Sequence, residues 1–150
     1  SCWTCHSSFS LMFIVFEGID GTGKSTQVNL LADALRQQGR EVVTSKEPTD
    51  GPHGTRLRQS ADTGRLSPQE ELDLFHLDRK EHIAGLIKPS LERGAVVILD
   101  RYFFSTMAYQ GVRGFDPLEI RRINEEFAPL PDHVFILELD LDTALDRIGV

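Results

Sequence analysis

Residues 18–25, Gly-Ile-Asp-Gly-Thr-Gly-Lys-Ser, carry the densest chemistry in the chain and fit G-x-x-x-x-G-K-[ST]. Glycines let successive backbone N–H groups turn inward around an anion, and a following helix adds its positive N-terminal end. In such a loop Lys24 reaches the β- and γ-phosphates of a nucleoside triphosphate, and Ser25 holds Mg²⁺. The context fits, because the apolar run Phe13–Phe16 reads as a buried strand before the loop and an amphipathic pattern begins after it. A second constellation is Asp100-Arg101, which closes the apolar run Ala95–Leu99. At the C-terminal end of a parallel strand, where ligand-handling residues gather, Asp100 can complete the metal site. A charge at Arg101 would face the same crevice.

These groups stand out against an acidic background. The 150 residues carry a net charge of −7, with 40% hydrophobic and 26% charged residues, as in an ordinary globular protein of one domain. The charge argues against nucleic-acid and membrane surfaces, which need a basic face. A phosphate-binding protein this acidic must gather its cations locally, which singles out Lys24, Lys46, Arg56, Arg58, Arg79 and Arg101. No run approaches the roughly 18 apolar residues of a membrane span, and a cytoplasmic setting is expected. Cys2-x-x-Cys5-His6 spells a c-type haem attachment string, yet nothing downstream supports export or a haem pocket. With Met12 directly before the first strand, residues 1–11 read as a leader outside the fold, and 12–150 as the domain.

The elements that must position this chemistry follow from periodicity. Val28, Leu31, Ala32 and Leu35 place a helix over Ser25–Gln38, stopped by Gly39, and Glu41–Ser45 is a short strand. A Pro- and Gly-rich loop, 46–54, leads to a short helix around Thr55–Ser60. Ser67-Pro68-Gln69-Glu70 spells a capping box with Pro at the first helical position. That helix should run to about Arg93 with a kink near Pro89 and end at Gly94. A strand at 95–99, a helix at 103–111, a helix at Leu118–Phe127 and a fourth strand at Val134–Leu139 follow. Asp142 is expected to cap a last helix. Strands alternating with helices give an α/β class with a parallel sheet covered on both faces.

The cations then bear on the acceptor. Transfer to a sugar hydroxyl needs a carboxylate base, whereas transfer to a phosphate needs cations that hold two anions together. Lys46 after the second strand, Arg79 on the long helix and Arg101 after the third favour a phosphate. Glu47 beside Lys46 keeps a hydroxyl acceptor open. A guanine-reading N-K-x-D box is absent, which argues against a GTPase.

The strings F-E-G-I-D-G-T-G-K-S-T (16–26), E-P (47–48), L-F-H-L-D-R (74–79) and D-R-Y-F-F-S-T-M-A-Y-Q-G (100–111) together resemble thymidylate kinase, in that family's order and spacing. The resemblance implies a P-loop NTPase fold, a three-layer α/β/α with a parallel sheet whose C-terminal strand and helix are missing. It implies transfer of the γ-phosphoryl of Mg·ATP to dTMP, with Lys24, Asp20 and Arg101 catalytic. Gly18, Asp20, Gly21, Thr22, Gly23, Lys24, Ser25 and Thr26 would hold the ATP phosphates, and Ser25 and Asp100 the Mg²⁺. Phe75 would stack on thymine, Arg79 donate to a base carbonyl, and Arg101 and Lys46 grip the acceptor phosphate. Asp20 would accept from the sugar 3′-hydroxyl, Tyr109 and Gln110 would close over deoxyribose and base, and Ser105 would lie near the base.

Two departures stand out. The family usually has Arg where this chain has Lys46, and some members carry an Arg at the position of Gly21. Members with a loop of this kind take catalytic arginines from a lid after the fourth strand, near where these 150 residues stop. The alternatives left are a deoxynucleoside kinase with Glu47 as base, or a nucleotide-binding fragment without turnover. A homodimer is compatible with the sequence and not fixed by it.

Overall fold

The computed structural model describes residues 12–149. The expected leader, with Cys2, Cys5 and His6, lies outside the described residues. Four strands, β1 (Met12–Glu17), β2 (Val42–Lys46), β3 (Val96–Asp100) and β4 (His133–Ile136), form one parallel sheet in the order β2-β3-β1-β4. Alternation along the strands explains the two-faced burial. Phe13, Val15, Val97 and Leu99 point to one face, into a core with Ile87, Tyr102 and Phe103. Ile14, Phe16, Val96 and Ile98 point to the other, against Val28 and Ala32 of α1 (Lys24–Gln37).

The chain leaves β1 toward β2 on one side, returns to β3 between them, and then places β4 on the far side of β1. The direction of winding therefore reverses at the C-terminal ends of β1 and β3, the place where an open α/β sheet leaves a crevice. The phosphate-loop string follows β1, and Asp100 ends β3.

Several boundaries differ from the sequence expectations, each for a local reason. The short helix expected at 55–60 is α2 (Pro52–Thr63), because Pro52 supplies a ready-made first turn and Arg58 holds the carbonyls of Pro48 and Thr49 at 2.8 and 2.6 Å. The capping box forms as expected at the start of α3 (Pro68–His82). The long helix does not simply kink near Pro89. It widens into a π turn at Ile83–Ile87, where the Lys88 N–H reaches the Ile83 carbonyl, before α4 (Lys88–Glu92). Proline at 89 cannot donate to the ladder, and the wide turn lies immediately before it. After β3 come α5 (Phe103–Val112) and α6 (Pro117–Phe127).

β4 is shorter than the expected 134–139 and lies at the sheet edge, with Ile136 69% exposed. Its partner strand is anchored by Asp132, whose carboxylate accepts the Phe13 N–H at 2.8 Å. Asp142 is not the cap of the last helix, α7 (Leu141–Ile148). Asp140 fills that role, accepting the Thr143 N–H at 2.9 Å and its hydroxyl at 2.6 Å, which leaves Asp142 inside the first turn.

Two stability outcomes follow. Ile98, fully buried in β3, should cost about 2–5 kcal/mol when cut to Ala, read as a lower urea midpoint at unchanged slope. His76 on α3 accepts from Asn124 at 3.1 Å, and burial, reinforced by Arg79 and Lys80, lowers its pKa from 6.5 to about 4. Between those values the unfolded chain takes up the proton before the folded one, so stability is lost as pH falls from 6.5 to about 4. A melting-temperature profile of His76→Gln should be flatter than wild type across that window.

Candidate functional site

A cavity of about 830 Å³ opens at the winding reversal, between the loop after β1, the segment after β2, α2, α3 and α5. The loop's form comes from its glycines. Gly23 caps α1 in a left-handed conformation (φ +89°) that side chains avoid. At Gly18 (φ +141°) an added Cβ would lie 2.5 Å from the Leu137 carbonyl oxygen. Thr22 Oγ1 and Lys24 Nζ both donate to the Ile19 carbonyl, at 2.8 and 3.0 Å, so the lysine folds back along its own loop. Its pKa is lowered, first by burial and then by Arg101, while Asp100, Asp20 and Glu17 pull it back up. Gly21, Gly23, Lys24, Ser25 and Thr26 line the cavity together.

Ser25, on the first turn of α1, donates to Asp100 Oδ2 at 3.1 Å. The structure thus joins two residues 75 positions apart that sequence reasoning paired as metal ligands. A hydroxyl and a carboxylate are hard oxygen donors, the set that suits Mg²⁺ when phosphates and water complete its shell. Among the described residues no larger cluster of His, Cys, Asp or Glu could hold a metal by itself.

Arg101 follows with a left-handed backbone (φ +73°), unusual for a residue with a side chain. Its guanidinium donates to Asp20 Oδ1 at 2.9 Å and to Ser105 Oγ at 3.1 Å, and lies over the Tyr109 ring at 5.4 Å. Burial would lower the Arg101 pKa, but the bonds and charges of Asp20 and Tyr109 outweigh it and the net shift is upward. Asp20, Arg101, Ser105 and Tyr109 therefore form one group at the cavity wall, with Tyr109 45% exposed.

Arg79 is no solvated helix charge. It is 1% exposed, and three sides of its guanidinium are held. Nε donates to Glu47 at 2.8 Å, Nη1 to Asn124 at 2.7 Å and Nη2 to Thr106 at 2.9 Å. These bonds use three of its five N–H protons, and Arg79 lines the cavity together with Phe75. The second oxygen of Glu47 meets His82 Nδ1 at 2.8 Å, and His82 Nε2 meets Ser45 Oγ at 2.7 Å. Both carboxylate oxygens are thus committed, which removes Glu47 as a free base for a sugar hydroxyl. Lys46 lines the cavity too, with Nζ 3.4 Å from Asp50.

The structure places Gln110 differently from the reading carried over from the family. It is fully buried, its amide donates to Glu71 Oε1 at 2.8 Å, and its own carbonyl oxygen has no partner. It does not line the cavity, because the Glu71 carboxylate on α3 turns it inward. Arg56, one of the cations noted for the crevice, is exposed away from it, whereas Arg58 reaches the wall. Glu17, Thr106 and Asn124 went unmarked. Glu17 lies inside the F-E-G string and could have been asked about, but nothing local to residue 124 announces that its amide supports Arg79.

Comparison with known proteins agrees with this geometry. The family model described as thymidylate kinase matches residues 16–150. A thymidylate kinase of Akkermansia muciniphila is 59% identical over 136 residues, 91% of this chain and 66% of that protein. One from Xanthomonas campestris pv. campestris is 55% identical over 91% of this chain and 60% of its own length. The crystal structure of thymidylate kinase from Ehrlichia chaffeensis superposes with a TM-score of 0.79 at 38% identity, covering 93% of this chain and 78% of that one. The chain thus spans 60–66% of the length of these curated relatives. With the family model matched across nearly the whole chain and a solved relative at 38% identity sharing the fold, the chain belongs to the thymidylate kinase family.

Proposed function

We propose that this chain carries the substrate-handling core of a dTMP kinase, moving the γ-phosphoryl of ATP to dTMP to give dTDP. The observation that carries the reading is that Lys24, Arg101, the Ser25–Asp100 pair, Phe75 and Arg79 all line one cavity. An oxygen of the dTMP phosphate attacks the γ-phosphorus, the bond to the β–γ bridging oxygen breaks, and ADP leaves with that electron pair. The acceptor is already an anion, so no strong base is required, in accord with Glu47 being bound on both sides.

Positioning and charge neutralisation supply the rate. Loop N–H groups and Lys24 hold the donor phosphates, and Arg101 draws the acceptor phosphate toward them, releasing Asp20 to the sugar 3′-hydroxyl. Ser25 and Asp100 would hold Mg²⁺, which would supply neutralisation of phosphate charge. Phe75 offers its face to the pyrimidine, and the two free Arg79 protons suit a carbonyl acceptor and not an amino group. Lys46, a point charge on a flexible stem, adds attraction for the phosphate without a bidentate grip. Tyr109, which lines the cavity, would press against the deoxyribose.

No helix among the described residues is long and apolar enough to cross a membrane. A kinase fed by ATP works where ATP is made and kept, which supports a cytoplasmic setting. The acidic net charge of −7 supports small anions held in a local cationic site, not a nucleic-acid partner.

Turnover with dTMP, dUMP, UMP and thymidine tests the acceptor, and a preference for thymidine itself would overturn the reading. Lys24→Ala should lower kcat at least about 100-fold in an ADP-release assay, since a donor aimed at transferring charge is lost. Arg79→Lys should weaken dTMP binding by about 10-fold or more in calorimetry while ATP affinity stays within about twofold, because an ammonium cannot reproduce the fork. Equal loss of both ligands would make Arg79 a structural residue only.

A further inference from the structure

Glu17 ends β1 immediately before the phosphate loop, is 6% exposed, and takes no part in the mechanism above. Both of its carboxylate oxygens point across the sheet to the segment after β3. Oε1 accepts the Tyr102 N–H at 2.8 Å, and Oε2 accepts the Ser105 hydroxyl at 2.5 Å. These are the contacts that bracket Arg101. The peptide N–H of Arg101 is tied to the Phe16 carbonyl at 2.9 Å, and the next N–H, that of Tyr102, is tied to Glu17. Between those two anchors lies the left-handed Arg101 backbone, a conformation that persists only where the surroundings over-determine it. The side chain is held the same way. With its proton given to Glu17, Ser105 turns its lone pairs toward the Arg101 guanidinium at 3.1 Å.

We propose that Glu17 is a positioning residue that fixes both the strained backbone and the side-chain direction of Arg101, and so sets the grip on the acceptor phosphate. The inference rests on Arg101 holding that phosphate. It accounts for a carboxylate buried beside an anion-binding loop, where a second negative charge is otherwise unfavourable: burial pushes the Glu17 pKa up, and Ser105, the Tyr102 N–H and Arg101 pull against it. It also explains why glutamate and not glutamine is suited to the place. An amide would accept from Tyr102 at its oxygen, but its NH₂ would donate to Ser105 Oγ and compete with Arg101 for the same lone pairs.

Thymidine differs from dTMP only by the phosphate, so the ratio of the two affinities reports the phosphate grip. A change in it on altering Glu17 points to Arg101, because Glu17 and Ser105 are bonded on the Arg101 side and not to Lys46. Calorimetry on the full chain should show Glu17→Gln losing about 10-fold or more in dTMP affinity with thymidine affinity changed less than about twofold. Ser105→Ala, which cuts only the side-chain link, should shift the same ratio in the same direction by a smaller factor, and it decides the matter if Glu17→Gln does not fold. Parallel loss of dTMP and thymidine, or no loss of either, would overturn the proposal. A wild-type chain that binds thymidine as tightly as dTMP would instead sink the phosphate-acceptor reading beneath it.

Discussion

The parallel register that sets Phe16 opposite Asp100 brings the loop after β1 and the pair Asp100-Arg101 to the same edge of the sheet. Because side chains alternate along a strand, a slip of one residue would turn Ile14 and Phe16 out of one core and Phe13 and Val15 out of the other. The two apolar layers thus enforce the register, and the register enforces the site. The Ser25–Asp100 contact and the two anchors of Arg101 exist only in this alignment.

Within that frame the acidic chain solves a charge problem by pairing. Arg101 rests on Asp20, Lys46 near Asp50, and Arg79 on Glu47. The pairs differ in depth, and depth decides their role. Asp20 is exposed, so its bond to Arg101 costs little to open. Glu47 and Arg79 are both buried, and parting them would leave an uncompensated charge in the interior. The Arg101 pair can therefore open at little cost, whereas Arg79 is held in place by its buried partners.

The sequence shows the loop, the α/β alternation, the capping box at Ser67 and the pairing of Ser25 with Asp100, because each is a local pattern or a short motif with its own physics. What it does not show depends on distant chain segments meeting. Asn124 supports Arg79 across 45 residues, and its sequence neighbourhood is an ordinary amphipathic helix. The bond of Gln110 to Glu71, on another helix, is likewise a contact that its motif does not announce. Asp142 is the expected cap because the expected strand continues to Leu139, three residues past the end of β4 at Ile136, and with the strand ending earlier Asp140 takes that role. The π turn before Pro89 is a compromise between a missing donor and a continuous apolar face, and periodicity cannot choose between a kink and a bulge.

α5 links the two halves of the site. Ser105 and Thr106 are neighbours in sequence, and on a helix adjacent residues point about 100° apart. Ser105 serves Arg101, and Thr106 serves Arg79. One short helix thus carries the two hydroxyls that hold the two guanidiniums. A displacement of α5 would detune both at once, and Glu17 and Tyr102 at its N-terminal end are what hold it to the sheet. The separation of Arg101 from Arg79 along the cavity wall follows from that single connection.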